Sequence, residues 1–133
     1  MLDSWAILAW IQNEPGATAV EEVLEEARGR ATQASWSVIN AGEVYYQLQR
    51  RQGRDLAERF WAEALFGRLP LQIVPATNAR VRAAARLKGE FRVSYADAFA
   101  MALALELGQP LVTGDKEIRR AAELAGLELV WLG

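Results

Sequence analysis

The chain contains neither cysteine nor histidine. Without thiols it has no disulfides and no thiolate metal site, so core packing must hold the fold together. Without imidazole, Ser-His-Asp and Cys-His nucleophilic catalysis, histidine acid–base chemistry and histidine metal ligation are excluded. Carboxylates, hydroxyls and a hard cation are the reagents left to an enzyme of this composition. No apolar run reaches membrane-spanning length without a charge, and no signal-peptide pattern is seen, so a soluble cytoplasmic protein is expected. A net charge of −2 argues neither for nor against nucleic acid, because 15 basic residues are enough to line one face. At 133 residues and 52% hydrophobic content, the expectation is one domain over residues 1–133 with a core that needs no staples.

Periodicity alternates between short β-like runs and helical stretches. "ML" is at most the stub of a strand, and "SWAILAWIQN" is helical. "GATAVEEVLEEARGR" repeats apolar residues at helical spacing through Ala17, Val20, Val23 or Leu24, and Ala27. "ATQAS" is a short strand, followed by a long helix from about Ser37 to Gln52. Gly53 breaks that helix, and "DLAERFWAEALFG" forms another, with Asp55 as its expected N-cap. "LQIVP" is a strand, "ATNARVRAAARLKGEF" and "SYADAFAMALALELG" are helical, and "PLVTG" is a buried strand. "DKEIRRAAELAG" is a helix closed by Gly126, and "LELVWL" is a final strand. This alternation predicts a three-layer α/β/α fold with a mainly parallel sheet.

In such sheets, ligands gather at the carboxyl ends of the strands. Asp3 follows the first strand, Asp115 follows "LVTG", and Asp97 lies in the first turn of its helix. Each is also well placed as a helix cap or first-turn acid, and Ser94 with Asp97 resembles a capping box. Asp97 nevertheless stands out, because every other residue from Tyr95 to Leu105 is apolar. In the preceding "SVINAGEVYYQL", Asn40, Glu43 and Gln47 make one narrow polar stripe at i, i+3 and i+7. That stripe fits either a solvent-facing edge or the wall of a cleft. Four carboxylates meeting at one sheet edge repel, by on the order of 4 kcal/mol for a pair at about 4 Å, and so call for raised pKa values or a cation. An oxygen-only site suits Mg²⁺ or Mn²⁺.

At "LDSWAILAW", "SVINAGEVYY", "SYADAFAMALA" and "LVTGDKEI" the sequence resembles the PIN-domain nucleases, and most closely the VapC-type toxins of toxin–antitoxin pairs. The ordered set spans essentially the whole chain. The resemblance implies a five-stranded parallel sheet of order 3-2-1-4-5 flanked by helices. It implies an acidic pocket of Asp3, Glu43, Asp97 and Asp115, with Ser4 and Thr113 as supporting hydroxyls and Asn40 as an indirect partner. It further implies a Mg²⁺- or Mn²⁺-dependent endoribonuclease acting on single-stranded RNA, an antitoxin partner lying over the cleft, and a homodimer. Arg50, Arg51, Arg86, Lys88 and Arg92 are the candidates for phosphate contacts. Two features depart from the pattern: the first strand is very short, and Ile118 stands where Phe is common, which reads as packing. Glu117 reads as an exposed helix acid. The aromatic residues Trp10, Tyr45, Phe60, Trp61 and Phe66 divide between core and partner surface in a proportion that sequence leaves open. A receiver-type signalling module is disfavoured, because no lone acceptor Asp follows "QIVPAT" and no Lys follows "WLG". A catalytically silent PIN-like scaffold is the remaining alternative.

Overall fold

The computed structural model describes residues 1–30 and 34–133. Helices α1 (Ser4–Ile11) and α2 (Ala17–Gly29) precede strand β1 (Ala34–Ser37) and helices α3 (Val38–Gln52) and α4 (Arg54–Leu65). Strand β2 (Leu71–Val74) leads to α5 (Asn78–Glu90) and α6 (Tyr95–Leu107). Strand β3 (Leu111–Thr113), α7 (Lys116–Ala125) and β4 (Leu129–Trp131) complete the chain. The first three residues of the "ATQAS" strand expectation, 31–33, lie outside the described residues.

The expected five strands are four among the described residues. β1 pairs in parallel with β2, Ala34 opposite Leu71, and β3 pairs in parallel with β4, Leu111 opposite Leu129. The fifth is reduced to a single parallel bridge between Leu2 and Val112. Both edges of this stub are used. Leu2 N–H donates to Ser35 O at 2.8 Å on one side, and Val112 N–H donates to Met1 O at 2.8 Å on the other. The stub thus bridges the two strand pairs in the spatial order β2, β1, stub, β3, β4, which is the 3-2-1-4-5 order in miniature. Leu2 is fully buried there.

Helix α6 forms the middle of the packing. Ser94 caps its start, accepting from Asp97 N–H at 3.1 Å, and Gly108 ends it in the left-handed region at φ 64°. Ala98, Phe99, Ala100, Met101, Leu103 and Ala104 are buried, in keeping with an apolar helix enclosed on most sides. Trp36 on β1 is fully buried, edge-on to Phe60 of α4 at 5.8 Å. One boundary residue differs from expectation: Gly53, not Asp55, caps α4, and Asp55 falls in its first turn. Gly53 takes φ 95°, a conformation glycine adopts without a Cβ clash, so the break after α3 and the start of α4 share one residue.

Candidate active site

The first turn of α1 begins directly on the sheet stub, which buries Asp3 almost completely. Asp3 Oδ1 accepts from Ala6 N–H at 2.9 Å and so caps α1, while Oδ2 accepts from the Thr113 hydroxyl. Thr113 ends β3, and its Oγ1 also accepts from Asp115 N–H at 3.0 Å. Asp115 then caps α7 by accepting from Glu117 N–H at 2.8 Å. One buried hydroxyl therefore ties the acid after the stub to the acid after β3. Cap and site are not alternatives for these aspartates. Each carboxylate oxygen that caps a helix keeps further lone-pair capacity.

A second set of bonds locks α1 to α3 and α6. Asn40 is fully buried. Its Nδ2 donates to Ser4 Oγ at 3.1 Å and to Ala96 O at 3.2 Å, and Ser4 Oγ donates back to Asn40 O at 3.3 Å. Asn40 Oδ1 is buried without a partner. The clamp holds Ser4, next to Asp3, against Ala96, next to Asp97. One turn further along α3, Glu43 faces the same cleft, and Gln47 and Arg51 continue the stripe. The stripe is therefore a cleft wall, with Asn40 at its buried end.

The cleft, about 160 Å³, is lined by Trp5, Leu8, Glu43, Gln47, Asp97 and Asp115, with Glu14 and Arg51 at its side. Its electrostatics follow from burial and like charge. Burial pushes the Asp3 carboxyl up to about 7, against the lowering effect of the Thr113 and Ala6 bonds, and Asp97 and Asp115 raise it further. Burial likewise raises Asp97 to about 6, opposed by hydrogen bonds from Ser94 and reinforced by Asp115 and Glu43. All four acids thus enter one field. As the side chains stand, no group of three or more acids among the described residues is already drawn to metal-ligand distance. The donor set fits a hard divalent cation in chemistry: oxygen only, with mutual repulsion that a cation would relieve.

The PIN domain family model matches residues 1–124. The chain belongs to the PIN domain family. The PIN fold is also shared with solved structures of low sequence identity. A structure of VapBC2 from Rickettsia felis bound to a DNA fragment from its promoter aligns with TM-score 0.75 at 16% identity, covering 100% of this chain and 98% of that one. A toxin–antitoxin complex from Klebsiella pneumoniae aligns with TM-score 0.61 at 16% identity, with 87% of each chain covered. Comparison with curated protein sequences gives no match.

The basic residues of this PIN domain are not gathered into one patch. Arg51 reaches the cleft rim, where it donates to Gln12 Oε1 at 2.6 Å and Gln47 Oε1 at 3.2 Å and lies 3.6 Å from Glu14. Arg50 lies over the Tyr46 ring at 5.0 Å, and Arg86 is exposed on α5. Lys88 Nζ donates to Val93 O at 3.0 Å. Arg92 lines a separate groove of about 550 Å³ with Lys116 and Arg120. Sequence reading did not name those last two as phosphate contacts, although Lys116 directly follows Asp115. It also passed over Trp5 as a cleft residue, although a bulky ring immediately after Asp3-Ser4 was the available signal. The aromatic residues divide: Phe60 is core, Trp10, Tyr45 and Trp61 are half-buried, and Phe66 is 77% exposed.

Proposed function

We propose that this PIN domain is a divalent-metal-dependent endoribonuclease and the toxin of a toxin–antitoxin pair. The observation that carries the reading is that Glu43, Asp97 and Asp115 line one cleft, while the buried Asp3 feels the charge of Asp97 and Asp115 and both Asp3 and Asp97 hold raised pKa values. Such a field is destabilising unless protons or a cation offset it. Asp3 and Asp97 are the first choice to hold Mg²⁺ or Mn²⁺, with Asp115 and Glu43 completing the set directly or through water. When bound, the cation supplies a nucleophilic water and offsets charge on the scissile phosphate. The chain's own residues do the positioning: Thr113 orients Asp3, Asn40 and Ser4 hold α1 against α6, and one of the acids accepts the water's proton. RNA is the substrate class proposed, as an exposed single strand whose unstacked bases are accessible. Arg51 at the rim and Arg92, Lys116 and Arg120 in the neighbouring groove supply phosphate contacts.

The toxin role is supported by the likeness of the whole chain, end to end, to a chain of the R. felis VapBC2 structure. It is also supported by the exposed and half-buried aromatics on α1, α3 and α4, which suit an antitoxin segment lying across these helices. A homodimer and a cytoplasmic setting belong to the same proposal. The test is incubation of purified protein with structured RNA in Mg²⁺, Mn²⁺ or EDTA. Cleavage in metal that leaves 5′-phosphate and 3′-hydroxyl ends, and stops in EDTA, is the expected result. Mainly 2′,3′-cyclic phosphate ends, or full activity in EDTA, would overturn the mechanism. No cleavage under any condition would favour the silent scaffold.

A further inference from the structure

Trp5 breaks the burial pattern of its helix. Ser4 and the residues from Ala6 to Ala9 are buried, yet Trp5 is 37% exposed and lines the acidic cleft. Its ring rests in a bed made by two glycines. A Cβ at Gly114 would lie 2.4 Å from Trp5 Cη2, and one at Gly16 would lie 3.4 Å from Cζ3. Gly114 stands between Thr113 and Asp115, so the ring is seated on the turn that carries an acid of the cleft. Gly16 takes φ 101°, where glycine is favoured. An aromatic ring needed only for packing gains most from complete burial. This one is backed by glycine and keeps surface open beside Glu43, Asp97 and Asp115.

We propose that Trp5 is a stacking platform for a nucleobase adjoining the scissile phosphodiester, and so a substrate-positioning residue. The proposal rests on the RNA reading of the cleft. Aromatic faces stack any base, so Trp5 would add affinity and register with little sequence preference. Gly114 and Gly16 both lie against the Cζ3–Cη2 edge of the ring, so little side-chain freedom remains to be lost on binding.

The test uses the Asp97→Asn protein in Mg²⁺ as a non-cleaving background. Binding of a ten-nucleotide oligoadenylate is compared with that of an abasic phosphoribose oligomer of equal length. Trp5→Ala is expected to weaken oligoadenylate binding about tenfold and leave abasic binding unchanged, while Trp5→Phe retains most of the affinity. Circular dichroism melting of each variant separates stacking from packing. Equal losses for both oligomers, or unchanged oligoadenylate binding in a folded Trp5→Ala protein, would overturn the platform. Absence of binding by either oligomer to the Asp97→Asn protein with Trp5 intact would instead overturn the RNA reading beneath it.

Discussion

Asp97 lies three positions into the turn capped by Ser94, with Asp115 and Glu43 near enough to raise its pKa. A helix-start acid and a crowded site acid respond to Asp97→Asn with opposite signs. Were the charge chiefly a first-turn acid, its loss would cost a few tenths to about 1 kcal/mol through the helix dipole. In the cleft, Asn keeps an acceptor for Ser94 and removes one repelling charge. The expected outcome is a metal-free protein at least as stable as wild type at neutral pH, a smaller stabilisation by Mn²⁺, and RNA cleavage lower by orders of magnitude. Melting curves with and without Mn²⁺, together with a cleavage assay, check all three. A destabilised but active variant would return Asp97 to the role of a cap.

Helix α3 is the element on which the cleft is assembled, because its polar stripe runs from the buried Asn40 to the exposed Arg51. The buried end should matter for stability and the exposed end should not. Asn40→Ala removes both donations of a buried amide, to Ser4 Oγ and Ala96 O, at a cost of about 1–3 kcal/mol. Gln47→Ala, a half-buried position further along the same face, should shift stability by no more than about 0.5 kcal/mol. Urea unfolding of the two variants measures the contrast. Equal shifts would mean that Asn40 does not clamp α1, α3 and α6. Activity of Asn40→Ala should also fall, since small displacements of Asp3 relative to Asp97 spoil the alignment of the reacting groups.

At the scale of the whole molecule, the acid cleft makes metal-free stability depend on pH in an uncommon direction. Asp3 rises from 3.8 to about 7 and Asp97 from 3.8 to about 6 in the folded protein. Between those limits the native state holds protons that the unfolded chain has released, so the stabilisation is complete below about pH 4 and is lost as pH rises through 6 and 7. The loss is on the order of 4 kcal/mol from Asp3 and smaller from the partly exposed Asp97. Denaturant midpoints in EDTA across pH 5 to about 8 should fall as pH rises. Millimolar Mn²⁺ should restore stability at the alkaline end, because it binds the ionised carboxylates of the native state alone. A midpoint that rises steadily with pH in EDTA would contradict a crowded acid cleft.

The sequence by itself determined the element types and the chemical inventory. Helical spacing, the Ser94 and Gly108 boundaries of α6, and the apolar character of "PLVTG" are local properties, set within a few residues by side-chain entropy, capping and burial. The absence of histidine and cysteine, together with the positions of the acids, limited the site to oxygen chemistry. Local pattern could not decide how the stub at Leu2 is used. Two residues carry no strand signal, and its pairing comes from Ser35 and Val112 on either side. Nor could it join Asp3 to Thr113, a hydrogen bond across 110 positions created by parallel strands and their crossovers. The glycine bed of Trp5 is likewise tertiary, because Gly114 has no local reason to anticipate an indole from α1. Which residues meet is a consequence of register and crossover, and those are settled only when the sheet and helices close on a common core.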